Sequence, residues 1–346
     1  MGQLSRLDVA LRQLAGAPEL GVKADLAGKT VIVVGANTGI GIEAVKHFSS
    51  MNAAKVIMAC RSEEKGKKAV AEVEKATGKN NAELWLLDLG RFASVVEFAD
   101  RFEKEGGRLD ILVMNAGIAT GTYEDFEGWE STLHVNHLST ALCSLLLIPR
   151  LLKTASDFSI QTRLVVVSSE VHHFTTLSEE VRNSPSILKK LNEKEYFQKN
   201  FMDRYPVSKL LNVLFVRALN AHLPTTSPLI VDAVNPGFCK SELTRNIPDF
   251  KPPTFEYEGK TITLTAWTSE EGSRQLLWAA LGPPNPADTD KIRGAFVSGN
   301  HIEEPSDFVL SKEGKDAQDR LWNETLEILN EVTPKVNAVV KEYLSV

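Results

Sequence analysis

Residues 30–48 restrict the fold more than any other part of the chain. Thr30-Val31-Ile32-Val33-Val34 is a short β-branched apolar run, the composition of a strand buried on both faces. It stops at Gly35. Ala36-Asn37-Thr38-Gly39-Ile40-Gly41 follow, and then Ile42-Glu43-Ala44-Val45-Lys46-His47-Phe48, whose apolar residues recur at helical period. Strand, glycine turn and helix in that order suit a dinucleotide pyrophosphate. Glycine lets the backbone turn tightly and approach phosphate oxygens, while the free N–H groups and positive end of the helix stabilise their charge. The spacing differs from the commoner G-x-G-x-x-G, so on this segment alone an ordinary strand-to-helix turn is an open alternative.

The rest of the chain repeats the pattern. Apolar runs near 30–34, 55–60, 83–87, 110–114, 163–168, 229–234 and 294–298 alternate with amphipathic stretches. The simplest architecture is α/β: one doubly wound domain of about seven parallel strands with helices on both faces. The 346 residues could hold one large domain or two ordinary ones, and this unbroken alternation favours one. A net charge of −6 without a basic stripe argues against nucleic acid as a partner. Charge runs at 63–68 and 189–195 read as solvated helix faces. Cys60, Cys143 and Cys239 have neither metal-ligand nor redox spacing and read as free thiols of a reducing compartment, so a cytoplasmic location is expected. No stretch reads as the ~18 apolar residues that span a bilayer, and no signal-peptide core stands near residue 1. Residues 3–15 fit an amphipathic helix that packs on the protein.

Tyr205-Pro206-Val207-Ser208-Lys209 suggests proton chemistry. A phenol ionises near pH ~10 and is a poor acid or base at neutrality unless a nearby cation stabilises its phenolate. On a helix, positions i and i+4 share a face, so Lys209 can supply that cation. The spacing alone also fits a plain amphipathic helix.

Taken together, Gly35-x-x-x-Gly39-x-Gly41, Asn115-Ala116-Gly117, Asn136, Ser169, Tyr205-x-x-x-Lys209 and Asn235-Pro236-Gly237 resemble, in order, the motifs of short-chain dehydrogenases/reductases. The resemblance covers roughly residues 28–335. Met58-Ala59-Cys60-Arg61, His134-Val135-Asn136-His137 and Arg320-Leu321-Trp322-Asn323 are most similar to the retinol-dehydrogenase-like and carbonyl-reductase branch. It implies a Rossmann-type domain over 28–335, preceded by an N-terminal helical extension (1–27) and followed by a C-terminal tail (336–346). It also implies a catalytic set of Asn136, Ser169, Tyr205 and Lys209. Tyr205 would act as acid/base, Lys209 would lower its pKa and bond the nicotinamide ribose, Ser169 would hold the substrate oxygen, and Asn136 would order a water leading to Lys209. Ser168 is the competing serine, and family register selects Ser169.

The coenzyme positions follow the same resemblance. Gly35, Gly39, Ile40 and Gly41 form the phosphate turn, with Asn37 and Thr38 in reach of ribose and phosphate. At the end of the second strand NAD-selective proteins commonly place a carboxylate; this chain has Arg61 instead, which suits the 2′-phosphate of NADP(H). Asp88 and Leu89 match the adenine position, although Asp88 also suits a helix N-cap. Asn115, Ala116 and Gly117 close the fourth strand, where the asparagine suits strand-tying as well. Pro236 and Gly237, with Tyr205 and Lys209, complete the nicotinamide side. No metal is implied, because His134, His137, His172 and His173 lack carboxylate or thiol company.

Residues 172–203 and 238–264 are longer than in many relatives and read as inserted substrate lids. Their Phe174, Tyr196, Phe197, Phe201, Phe250, Phe255 and Tyr257 suit an apolar or aromatic carbonyl, or serve to pack the insertions down. The first insertion lies beside the surface through which relatives dimerise, which favours a monomer. Two alternatives stay open: a light-dependent reductase of the protochlorophyllide type, which shares Tyr-x-x-x-Lys and Ala-Cys-Arg, and a non-catalytic NADP(H) sensor.

Overall fold

All seven anticipated strands form, and they share one sheet. This computed structural model describes residues 4–247, 250–257 and 259–344; the outermost residues of the expected extension and tail, 1–3 and 345–346, lie outside the described residues. The strands are β1 (Thr30–Val34), β2 (Lys55–Cys60), β3 (Ala82–Leu86), β4 (Ile111–Met114), β5 (Thr162–Val167), β6 (Leu229–Val234) and β7 (Phe296–Ser298). An eighth, β8 (His301–Glu303), was not anticipated. Their order is β8-β7-β6-β5-β4-β1-β2-β3, parallel except for β8 against β7. Gly299 and Asn300 turn the β7–β8 hairpin with φ of +60° and +62°.

Side-chain alternation along the strands feeds two cores. Ile32, Val34, Ile57, Leu112, Met114, Leu164 and Val166 face one, with residues of the helices Phe92–Arg101, Thr140–Phe158 and Arg204–His222. Val31, Val33, Val56, Met58, Ile111, Val113 and Val165 face the other, with residues of Gly39–Ser50, Glu63–Thr77 and Ser269–Leu281. The chain leaves β1 toward β2 and returns to β4 on the other side. The carboxyl ends of β1 and β4 therefore frame a switch-point crevice, where ligands of such sheets bind.

Two expectations change. Leu133–Phe158 is one helix long and apolar enough, by length and composition, to cross a membrane, contrary to the sequence reading; 78% of its most apolar window is buried inside the protein. The supposed tail contains the helix Lys335–Tyr343, with Val336 and Val339 buried. The first insertion, read as a substrate lid, consists of short helices, Glu179–Arg182, Ile187–Asn192 and Lys194–Lys199. The second contains a hairpin, Thr254–Tyr257 against Lys260–Thr263.

Candidate active site

At the crevice, the backbone turn after β1 is pressed against the end of β4. Gly35 has φ +77°, and a Cβ there would stand 2.8 Å from Ala116. A Cβ on Gly41 would stand 2.3 Å from the Gly35 carbonyl oxygen and 2.6 Å from Asn115 Nδ2. No larger residue fits either position. Asn115 Nδ2 donates to the carbonyls of Val34 (3.1 Å) and Gly35 (3.0 Å), the strand-tying role. Thr38 stands at the N-cap of Gly39–Ser50 without a side-chain capping bond, and Asn37 and Ile40 are half-buried beside it. Arg61 extends from β2, exposed, with no hydrogen-bond or ion-pair partner among the described residues, while Ser62 caps the following helix. Asp88 is not a helix N-cap. Its carboxylate accepts the Gly90 N–H at 2.9 Å, the cap position of Phe92–Arg101 is Arg91, and Glu127 takes the Phe92 N–H. Leu89 is buried, its carbonyl bonded to His134.

The four expected catalytic residues come from three elements that abut. Asn136 sits in π-helical turns, Leu133–Ser139, which open the long helix and are frequent at functional sites. Its Nδ2 donates to the Ile118 carbonyl (2.9 Å) and to Ser208 Oγ (3.0 Å), and its Oδ1 accepts the Ile118 N–H (2.9 Å). The amide expected to order a water is thus committed to protein partners. Ser208 Oγ donates onward to the Tyr205 carbonyl. Lys209 Nζ donates to the Val167 carbonyl at 2.8 Å and to Asn212 Oδ1 at 3.3 Å, and lies 5.5 Å from the Tyr205 ring centroid. A Cβ on Gly117 would approach both Asn136 Oδ1 (3.4 Å) and Lys209 Nζ (3.5 Å), so all three line one spot. Beyond β5 the two serines diverge. Ser168 is buried, its Oγ donated to the Lys209 carbonyl, whereas Ser169 is half-buried and its Oγ accepts the Val171 N–H.

Burial dominates the titration of this group. It pushes the Tyr205 phenol up, with Cys239 adding to the effect, and pushes Lys209 down from 10.5 to about 7. The expected lowering of the phenol by Lys209 is therefore not the prevailing influence. Burial also raises Glu170, next to Ser169, to about 7, against a hydrogen bond from Asn235.

Asn235 is the residue that the sequence quoted but did not place in the site. Its Nδ2 donates to Glu170 Oε2 (2.9 Å) and Ser298 Oγ (3.2 Å), and its Oδ1 accepts the N–H groups of Glu170 and Gly237 (both 3.1 Å). It ties the Ser169 end of β5 to the Pro236-Gly237 turn. Glu130 and Arg204 were also missed. They form a buried pair at 2.9 Å that joins the start of the Asn136 turns to the residue before Tyr205. No sequence signal marks that pair, since its members stand 74 residues apart. The four histidines are buried, His134 between Leu89 and Glu127 and His137 against Thr325.

Known proteins fit this geometry. The short chain dehydrogenase family model matches residues 29–177. The chain is 37% identical to the short chain dehydrogenase/reductase dmxR8 of a Cryptosporiopsis species, over 90% of this chain and 93% of that one. It is 38% identical to the short chain dehydrogenase sol3 of Alternaria solani, over 85% and 97%. Among solved structures, the fold is shared with a short-chain dehydrogenase from Sphingobium yanoikuyae in complex with NADPH (20% identity, TM-score 0.55, 78% of this chain and 87% of that one). Salutaridine reductase from Papaver somniferum shares it too (22% identity, TM-score 0.56, 78% and 99%).

Proposed function

Because the chain belongs to the short-chain dehydrogenase/reductase family, we propose that it is an NADP(H)-dependent oxidoreductase. It reduces an aldehyde or ketone to an alcohol, or runs the reverse, with Tyr205 as acid/base. The observation that carries this reading is the placement of Lys209: docked on the Val167 carbonyl, 5.5 Å from the Tyr205 ring, and beside Gly117 and Asn136.

The residues present fit the coenzyme. The Gly35–Gly41 turn, where Gly35 and Gly41 leave no space for a Cβ, would receive the pyrophosphate. Arg61, without a partner among the described residues, would take the 2′-phosphate, and Asp88 with Leu89 would take the adenine. Asn115, Ala116, Gly117, Pro236 and Gly237 line the nicotinamide half. NADP(H), when bound, supplies or accepts the hydride. In reduction Tyr205 gives its phenolic proton to the substrate oxygen while the Ser169 hydroxyl holds that oxygen in place. Lys209, half-protonated near pH 7, is suited to returning a proton to Tyr205.

Large apolar side chains left exposed on the insertions, Phe201, Met202, Phe250 and Tyr257, support an apolar or aromatic substrate. A monomer is supported by the chain itself: helix Lys312–Val332 packs on Arg204–His222, where Trp322 stacks with Phe215 and His222, and Lys335–Tyr343 packs on Thr140–Phe158. Those C-terminal helices, more than the insertion, cover the faces through which relatives pair. Three free cysteines support a cytoplasmic setting.

The test is NADPH oxidation over aromatic aldehydes, ketones and quinones, with wild type beside Tyr205→Phe. The variant loses kcat by about a hundred- to ten-thousandfold while its NADPH affinity holds. Equal turnover overturns the assignment, and NADPH binding without turnover in either protein identifies the sensor.

A further inference from the structure

The N-terminal helix, Arg6–Leu14, has no part in the chemistry above, yet it grips both ends of the second insertion. Gln13 is buried, and its Nε2 donates to the carbonyls of Phe238 (2.9 Å) and Thr265 (3.0 Å). Its Oε1 accepts the Phe238 N–H at 3.1 Å, and its main-chain carbonyl accepts Trp267 Nε1 at 3.0 Å. Phe238 opens the excursion; Thr265 and Trp267 close it. The two ends also bond each other, Trp267 N–H to the Phe238 carbonyl and Lys240 N–H to the Trp267 carbonyl, both at 2.9 Å. The side-chain amide therefore acts like one more strand residue at the base of the loop.

From that base, contact runs directly to the cleft. The Trp267 ring lies against Gly237, where a Cβ would come within 2.4 Å of it. Gly237 has φ +79° and is bonded through its N–H to Asn235, which also holds Glu170 beside Ser169. Farther out, Asn246 bridges to Thr120 and the hairpin Thr254–Tyr257/Lys260–Thr263 is mostly exposed, so the base is one of the few places where the loop is held. The same helix pairs Arg12 with Glu303 on β8 and lays the Arg6 guanidinium 5.7 Å from the Phe174 ring of the first insertion.

We propose that Gln13 is a positioning residue for the substrate loop: its amide, with Trp267, fixes the base of 238–267 and so the angle at which that loop leaves the cleft. The assignment rests on the oxidoreductase reading for its kinetic consequence, whereas the clamp itself is a property of the fold. Two measurements on the full chain keep these apart. Hydrogen exchange of coenzyme-free protein is followed by mass spectrometry in Gln13→Met, similar in length without polar atoms, and in Gln13→Glu, which keeps the acceptor for Phe238 but loses the donor to two carbonyls. Steady-state kinetics use NADPH with para-nitrobenzaldehyde and phenanthrenequinone, and Leu11→Ser, on the exposed face of the same helix, is the control.

In Gln13→Met, exchange within 238–267 rises by about tenfold and KM for the carbonyl rises by a similar factor, the scale of losing one amide's bonds. Its kcat and NADPH affinity stay within about twofold. Gln13→Glu is at least as impaired, and Leu11→Ser matches wild type. Unchanged exchange in 238–267 overturns the proposal. So does exchange that rises across the whole sheet with KM and NADPH affinity failing together, the signature of a folding role alone. If wild type turns over neither carbonyl, the oxidoreductase reading fails at that point, and exchange within 238–267 still decides the clamp.

Discussion

Replacing Lys209 by methionine abolishes turnover and makes the coenzyme-free protein more stable. Lys209 is 3% exposed, and burial lowers its ammonium from 10.5 to about 7. An unfolded chain holds that proton up to about pH 10.5, whereas the folded one releases it near 7. Between those values the unfolded state binds more protons, so stability rises with pH across the window and the penalty is full below pH 7. At about 1.4 kcal/mol per pH unit, the fall corresponds to roughly 4–5 kcal/mol withheld from folding at neutrality. Methionine removes that penalty but leaves the Val167 carbonyl and Asn212 Oδ1 without their donor, a loss of about 1–3 kcal/mol. The net gain is on the order of 1–4 kcal/mol at pH 7, largest below it and shrinking toward pH 10. Thermal unfolding of both proteins at closely spaced pH values from 6 to 9 reads it directly. The cysteines, raised by burial, are common to both and cancel in the difference. A variant less stable at every pH, by an amount that does not change with pH, refutes the desolvation argument.

Two more substitutions probe separate parts of the site. Arg61→Ala weakens NADPH binding by about ten- to a hundredfold and leaves NADH nearly untouched, because only NADPH carries the 2′-phosphate; fluorescence titration with both coenzymes checks it, and equal loss for both removes Arg61 from selectivity. Glu130→Gln leaves the Arg204 guanidinium charged and buried, costing about 3–5 kcal/mol in chemical denaturation. Adding Arg204→Leu restores most of it, and a loss below about 1 kcal/mol in the single variant shows that the pair contributes little.

What could be read from sequence was what is local. Strands buried on both faces announce themselves as β-branched runs, so Thr30–Val34 and Thr162–Val167 needed no partner to be found. β8 escaped because His301-Ile302-Glu303 has no such run; the signal available was Gly299-Asn300, whose paired positive φ values make a tight hairpin turn. The motif residues were legible for a similar reason, each standing at a strand end or within one helical turn of its neighbour. Asn235 and Gln13 were not, since apart from the local Asn235–Gly237 bond the bonds described for them cross 63 to 254 residues and depend on which loops the sheet brings together.

The titration of Lys209 was misjudged on the same ground, and this links fold to chemistry. Spacing places an ammonium beside a phenol but does not say how much water either keeps. That is fixed by the helix Arg204–His222, where Leu210, Leu211, Val213 and Leu214 bury the stretch that carries Lys209. The packing that holds the helix against the sheet also strips its lysine of solvent. A Tyr-x-x-x-Lys pair on an exposed amphipathic helix would keep the lysine charged up to its ordinary pKa and leave it a poor proton donor at neutrality. Here the core supplies the difference: burial brings the lysine down to about 7, at a standing cost in stability that substitution at Lys209 should release.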